Sequence, residues 1–157
     1  MTQASVLIVD DEPSVRQTLS EWMRNQNFHV LEAEGGRQAM EMIRRRDPDL
    51  VISDVVMPGM DGIQLLRQTR AVKMEVPFLM ISGYPSHATA VDIMKLGASD
   101  YLPKPFSLEE LTRRVDHILK SKSLARPLAP VEGAILAAVV STTLWILILW
   151  AVSALVL

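Results

Sequence analysis

Short apolar runs alternate with amphipathic stretches from residue 5 to about residue 120. SVLIV (5–9), DLVIS (49–53) and VPFLMIS (76–82) are rich in branched residues with little polar interruption, the pattern of strands buried on both faces of a parallel sheet. FHVLEA (28–33) and SDYLP (99–103) are weaker versions of it. Between the runs, Val15, Leu19, Trp22 and Met23 fall at i, i+4, i+7 and i+8, and Ala39, Met42 and Ile43 make a shorter stripe opposite Arg44, Arg45 and Arg46. Ser107 followed by Glu109 and Glu110 predicts a last helix, N-capped at Ser107 and running to about Lys120. Strands alternating with helices in this way predict an α/β fold, a doubly wound five-stranded parallel sheet covered on both faces. Such sheets bind ligands beyond the carboxyl ends of their strands.

After Glu132 the pattern changes. The segment GAILAAVVSTTLWILILWAVSALVL (133–157) has no charged side chain, and as a helix it is roughly 36 Å long, enough to cross a bilayer. The expected organisation is a folded domain over 1–122, a linker over 123–132 and a transmembrane helix over 133–157. Basic residues near the apolar segment all precede it, which predicts a single-pass anchor in the inner membrane with the domain in the cytoplasm. Gly133, Ala137 and Ser141 repeat at spacing four, a pattern that allows two such helices to associate into a homodimer.

Charge narrows the classes of partner. Lys and Arg number 16 against 18 Asp and Glu, a net charge of -2, so the basic field that nucleic-acid binding requires is missing. The chain has no Cys, which excludes disulfides, thiolate metal sites and cysteine nucleophiles. MTQASVLIVDDEP has no positively charged n-region and does not read as a signal peptide.

Asp10 and Asp11 directly follow the first strand and Asp54 directly follows the third. Carboxylates about 4 Å apart at an effective dielectric of about 20 repel by roughly 4 kcal/mol a pair, and a divalent cation removes that cost. An oxygen-only set with no nearby His or Cys favours Mg²⁺ or Mn²⁺. By themselves, though, acids before Pro13 are equally readable as helix caps and turn residues. The rest of the rim adds the motifs DVVMPGMDG after the third strand, SG after the fourth and KPF after the fifth.

Taken in order, LIVDDEP, DLVISDVVMPGMDG, PFLMISG and SDYLPKPF resemble the receiver domain of bacterial response regulators, the CheY-like variant of the flavodoxin-like fold, over roughly residues 4–122. The resemblance implies strand order 2-1-3-4-5. It also implies that Asp54 is the phosphoacceptor, and that Asp10, Asp11, Asp54 and the backbone carbonyl of Val56 hold Mg²⁺. The Lys104 ammonium would then pair with a phosphoryl oxygen, the Lys104–Pro105 bond would be cis, Ser82 would be the switch hydroxyl and Tyr101 the aromatic that follows it inward.

The function expected on this basis is a membrane-anchored phosphoreceiver, not a turnover enzyme. It would be fed by a histidine kinase or phosphotransfer protein and would signal to a downstream protein through the surface of roughly residues 86–120. Val56 offers no side chain to orient an attacking water, so loss of the phosphoryl group is expected to be slow. The competing readings are a membrane-tethered scaffold that is never phosphorylated and a metal-dependent phosphohydrolase. The second of these usually carries another acid where Val56 stands.

Overall fold

The computed structural model describes residues 3–72, 75–83 and 87–125. Strands β1 (Ser5–Val9), β2 (His29–Ala33), β3 (Leu50–Asp54), β4 (Phe78–Ser82) and β5 (Asp100–Pro103) alternate with helices α1 (Pro13–Asn25), α2 (Gly36–Arg46), α3 (Gly62–Ala71), α4 (His87–Lys95) and α5 (Leu108–Ala125). All pairings are parallel, and the sheet order is β2-β1-β3-β4-β5, the order implied by the resemblance.

The near-uniform apolarity of β1, β3 and β4 follows from their burial on both faces. With side chains alternating across the sheet, Leu7, Val9, Val51, Phe78 and Met80 join Ala39, Ile43, Leu65, Leu66 and Ile93 from the helices on one side. Val6, Ile8, Leu50, Ile52, Leu79 and Ile81 meet Leu19, Met23, Leu111, Val115 and Ile118 of α1 and α5 on the other. The edge strand β2 is only partly covered, which explains its mixed sequence. In α2 the buried stripe runs through Gly36, Ala39, Met40 and Ile43, while Met42 is only partly buried.

The C-terminal transmembrane helix is corrected here. Among the described residues no helix is long and apolar enough to cross a membrane. The longest of them, α5 with 18 residues, carries Glu109, Glu110, Arg113, Arg114, Asp116, Lys120 and Lys122 and buries Leu111, Val115 and Ile118 against the sheet, so it is a packing helix. Residues 133–157, on which the expectation and its dimer pattern rested, lie outside the described residues. Uniform apolarity states what a segment gains by leaving water; it does not state a conformation. Membrane anchoring, the membrane as a partner and inner-membrane localisation are withdrawn with the helix.

The chain divides into two compact units, Met1–Lys122 and Ser123–Leu157. Helix α5 begins as expected, the Glu110 N–H donating to the Ser107 hydroxyl at 3.1 Å. It continues past Lys120 to Ala125, so the first residues expected to form a linker are helical.

Candidate functional site

The carboxyl ends of four adjacent strands build the site. Asp10 follows β1, Asp54 is the last residue of β3, Ser82 the last of β4, and Lys104 follows β5. Asp10, Asp54 and Ser82 are 4%, 8% and 1% exposed, whereas Asp11 lies at the surface. The Lys104 ammonium lies 2.7 Å from Asp54 Oδ1 and 3.8 Å from Asp10 Oδ2, and donates a hydrogen bond to the former. The second Asp54 oxygen accepts the Val56 N–H at 2.9 Å, and Asp10 Oδ1 accepts the Glu12 N–H at 2.9 Å. Both buried carboxylates are therefore oriented by the backbone of the loop that follows them.

The surrounding backbone holds this rim together. Lys104 N–H donates to the Ser82 carbonyl at 2.8 Å and Val55 N–H to the Ile81 carbonyl at 2.8 Å, while the Lys104–Pro105 peptide is cis. The β3–α3 loop turns at Gly59 with φ of 75°, and Asp61 caps α3 by accepting the Gln64 N–H at 2.7 Å. Gly62 lies so close to the Asp54 backbone that a Cβ there would collide with the Asp54 carbonyl oxygen. Only glycine lets α3 start directly beneath the acid.

Burial raises the pKa of Asp10 above its ordinary value; the Glu12 N–H and Lys104 oppose this, and the charges of Asp54 and Asp11 add to it. Desolvation alone would lower Lys104, but its bond to Asp54 and the field of Asp54, Asp10 and Glu12 outweigh that and leave it raised. Three acids against one ammonium leave an excess of negative charge. Among the described residues no three acid or histidine side chains stand as a preformed metal cage. The oxygen-only donors nevertheless fit a hard divalent cation, which binds through one or two carboxylates and fills its shell with water and phosphate oxygens.

Tyr101 does not join this cluster. It pairs in register with Met80, whereas Ser82 pairs with Pro103. Its ring packs against the core on the α2–α3 side, and its hydroxyl is buried with no hydrogen-bond partner among the described residues.

The residue that sequence reasoning missed is Arg16, whose guanidinium donates to the Asp10 carbonyl at 2.7 Å. A signal was present: a basic residue in the first turns of a helix opposes the helix dipole, and so asks for a tertiary partner.

A doubly wound parallel sheet presenting two buried acids and a lysine at its carboxyl edge is the architecture of a phosphoreceiver. The chain belongs to the response regulator receiver domain family, whose family model matches residues 6–116. It is 37% identical over 129 residues to the response regulator MprA of Mycolicibacterium vanbaalenii, covering 82% of this chain and 53% of that protein. It is 36% identical over 130 residues to the regulatory protein AtoC of Escherichia coli, covering 83% of this chain and 28% of AtoC. The chain thus spans about half the length of the MprA relatives it matches.

Among solved structures, the receiver domain of the Francisella response regulator 1452 superposes with a TM-score of 0.74 at 30% identity, covering 76% of this chain and 99% of that one. The Vibrio cholerae chemotaxis protein CheY4 gives a TM-score of 0.70 at 30% identity, covering 74% and 99%. Receiver domains are signalling modules that catalyse their own phosphorylation, not turnover enzymes, and they use a divalent cation.

Proposed function

We propose that residues 1–122 form a receiver that accepts a phosphoryl group on Asp54 from a histidine kinase or phosphotransfer protein and signals the change to a downstream protein. The observation that carries this reading is the Lys104 ammonium 2.7 Å from Asp54 and 3.8 Å from Asp10, at the end of a buried sheet. Asp10, Asp11, Asp54 and the Val56 carbonyl are the groups that would hold Mg²⁺, which when bound neutralises charge on the phosphoryl oxygens.

The transfer forms an O–P bond to an Asp54 carboxylate oxygen as the N–P bond of a phosphohistidine breaks; the imidazole keeps the electron pair and ends protonated by solvent. The Val56 N–H holds one Asp54 oxygen, which leaves the other to face Lys104. A phosphoryl group formed there meets an ammonium already in place, so little reorganisation accompanies the charge that develops. Ser82, at the end of β4, is the hydroxyl that would turn toward the new oxygens. Tyr101 of β5, partly buried against the core, is the aromatic that would respond to that turn.

Val56 is 55% exposed and apolar, so no side chain there steers water to the acyl phosphate. The phosphorylated protein should therefore persist well beyond a few seconds, as timed by decay of the phosphoprotein band after the donor is removed.

The decisive experiment treats the full chain with acetyl phosphate, with and without Mg²⁺, and reads the phosphoprotein on a phosphate-affinity gel. Mg²⁺-dependent labelling that vanishes in Asp54→Asn supports the reading. A folded chain that never labels, with any donor, points to a scaffold that works unphosphorylated.

A further inference from the structure

The acid loop between β1 and α1 is held from outside the site as well as within it. Arg16, one turn into α1, reaches back so that its Nη1 donates to the Asp10 carbonyl at 2.7 Å. The same guanidinium faces Glu32 of the edge strand β2, with Nε 3.8 Å from Oε2. The other Glu32 oxygen accepts from Arg24 of α1 at 2.6 Å. Arg16 keeps only 17% of its side-chain surface exposed. The planar guanidinium donates to the loop carbonyl in a fixed direction while its Nε side pairs electrostatically with the carboxylate on the neighbouring strand, an arrangement a lysine cannot fully reproduce.

We propose that Arg16 is a positioning residue for the divalent cation, fixing the Asp10–Asp11 peptide so that both carboxylates are presented in advance, with Glu32 aiming the guanidinium. The inference rests on the receiver reading above.

The physical argument turns on two opposing effects. Asp10, Asp11 and Glu12 are consecutive acids, and their mutual repulsion favours a loop that splays open. Three anchors oppose this: the Glu12 N–H on Asp10 Oδ1, the Asp10 N–H donating to the Ala33 carbonyl at 3.3 Å, and Arg16 on the Asp10 carbonyl. Of these only Arg16 grips the peptide that joins the two aspartates. Against this, a cation near Asp10 is repelled by the Arg16 charge. Glu32, shared with Arg24, pairs with the guanidinium and offsets part of that charge, so orientation outweighs repulsion. Groups behind a metal's direct ligands that orient them typically matter by about 10–100-fold in affinity.

The test uses the full chain and Mn²⁺ alone, with free Mn²⁺ counted by electron paramagnetic resonance and folding checked by far-ultraviolet circular dichroism. Arg16→Met is expected to weaken Mn²⁺ binding about tenfold, Glu32→Gln about threefold, and Arg16→Lys to recover part of the loss. Because the role is positioning, the rate of labelling by acetyl phosphate at saturating Mn²⁺ should return to within about twofold of wild type. A folded Arg16→Met that binds Mn²⁺ as tightly as wild type, or more tightly, overturns the inference. If Arg16→Met does not fold, wild-type affinity in both Arg16→Lys and Glu32→Gln overturns it. A wild-type chain whose Mn²⁺ binding is absent, or indifferent to Asp54→Asn and Asp11→Asn, overturns the receiver reading itself and this inference with it.

Discussion

Replacing Lys104 by Met removes the one ammonium paired with the buried acids among the described residues while keeping most of the side chain's bulk. The two contacts, 2.7 Å to Asp54 and 3.8 Å to Asp10, correspond to about 6 and about 4 kcal/mol at an effective dielectric of about 20. Lys104 keeps 34% of its side-chain surface in water, and desolvating all three groups costs much of that attraction. The net loss should be about 1–3 kcal/mol, because the variant leaves two buried carboxylates facing each other. A divalent cation takes over the same task, and it no longer competes with an ammonium for Asp54. The variant should therefore be less stable than wild type in EDTA, bind Mg²⁺ more tightly, and close most of the gap as Mg²⁺ rises, following RT ln(1 + [L]/Kd). Urea unfolding of the full chain at pH 7 across a Mg²⁺ series measures this directly. Equal stability in EDTA, or a gap that Mg²⁺ leaves unchanged, would refute the reasoning: the first would show that Lys104 does not neutralise the acids, the second that the acids do not hold the cation.

Other outcomes follow from single contacts. Gly62→Ala drives a methyl into the Asp54 carbonyl and should cost about 1–3 kcal/mol while cutting labelling by acetyl phosphate; an unchanged urea midpoint would show that the loop relaxes freely. Ser20 is fully buried and its hydroxyl has no hydrogen-bond partner among the described residues, so Ser20→Ala should stabilise the domain by about 1 kcal/mol, read from the same unfolding curves. Burial would raise Asp49, but the Ser5 N–H at 3.0 Å and the nearby Lys122 ammonium outweigh it and lower its pKa below the ordinary 3.8. Its contribution is therefore fully present above about pH 4 and fades as pH falls through the lower, folded-state value. With both side chains 44% exposed, Asp49→Asn should lose about 0.5–1 kcal/mol at pH 7, and that difference should shrink progressively as the pH falls below the ordinary 3.8. A difference that does not shrink on acidification would assign the loss to packing.

How much was legible varied with the range of the interaction. The strands could be placed because buried parallel strands need unbroken apolar runs, and β1, β3 and β4 have them. Ser107 announced the start of α5 because capping is local chemistry. In the stripe of α2, Ala39 and Ile43 are buried as expected, but Met40 is covered more fully than Met42: both are apolar, and only the neighbouring helix decides which is covered. Met40 accepts the Thr69 hydroxyl of α3 at its sulfur, at 3.7 Å. The membrane helix was read from hydropathy alone, which reports transfer energy without conformation.

The order of elements, the acids at the strand ends and Lys104 after β5 were all determined by the sequence itself, because hydrophobic period and motif spacing are properties of neighbours along the chain. Tertiary structure alone decided that Asp10 and Asp54 are buried while Asp11 is exposed, that Lys104 bonds Asp54 and only approaches Asp10, and that Arg16 grips the acid loop from α1. Those facts depend on which strand ends and helix turns come to lie side by side. Desolvation and charge pairing act through space, over a few ångströms, between groups as far apart in sequence as Asp54 and Lys104.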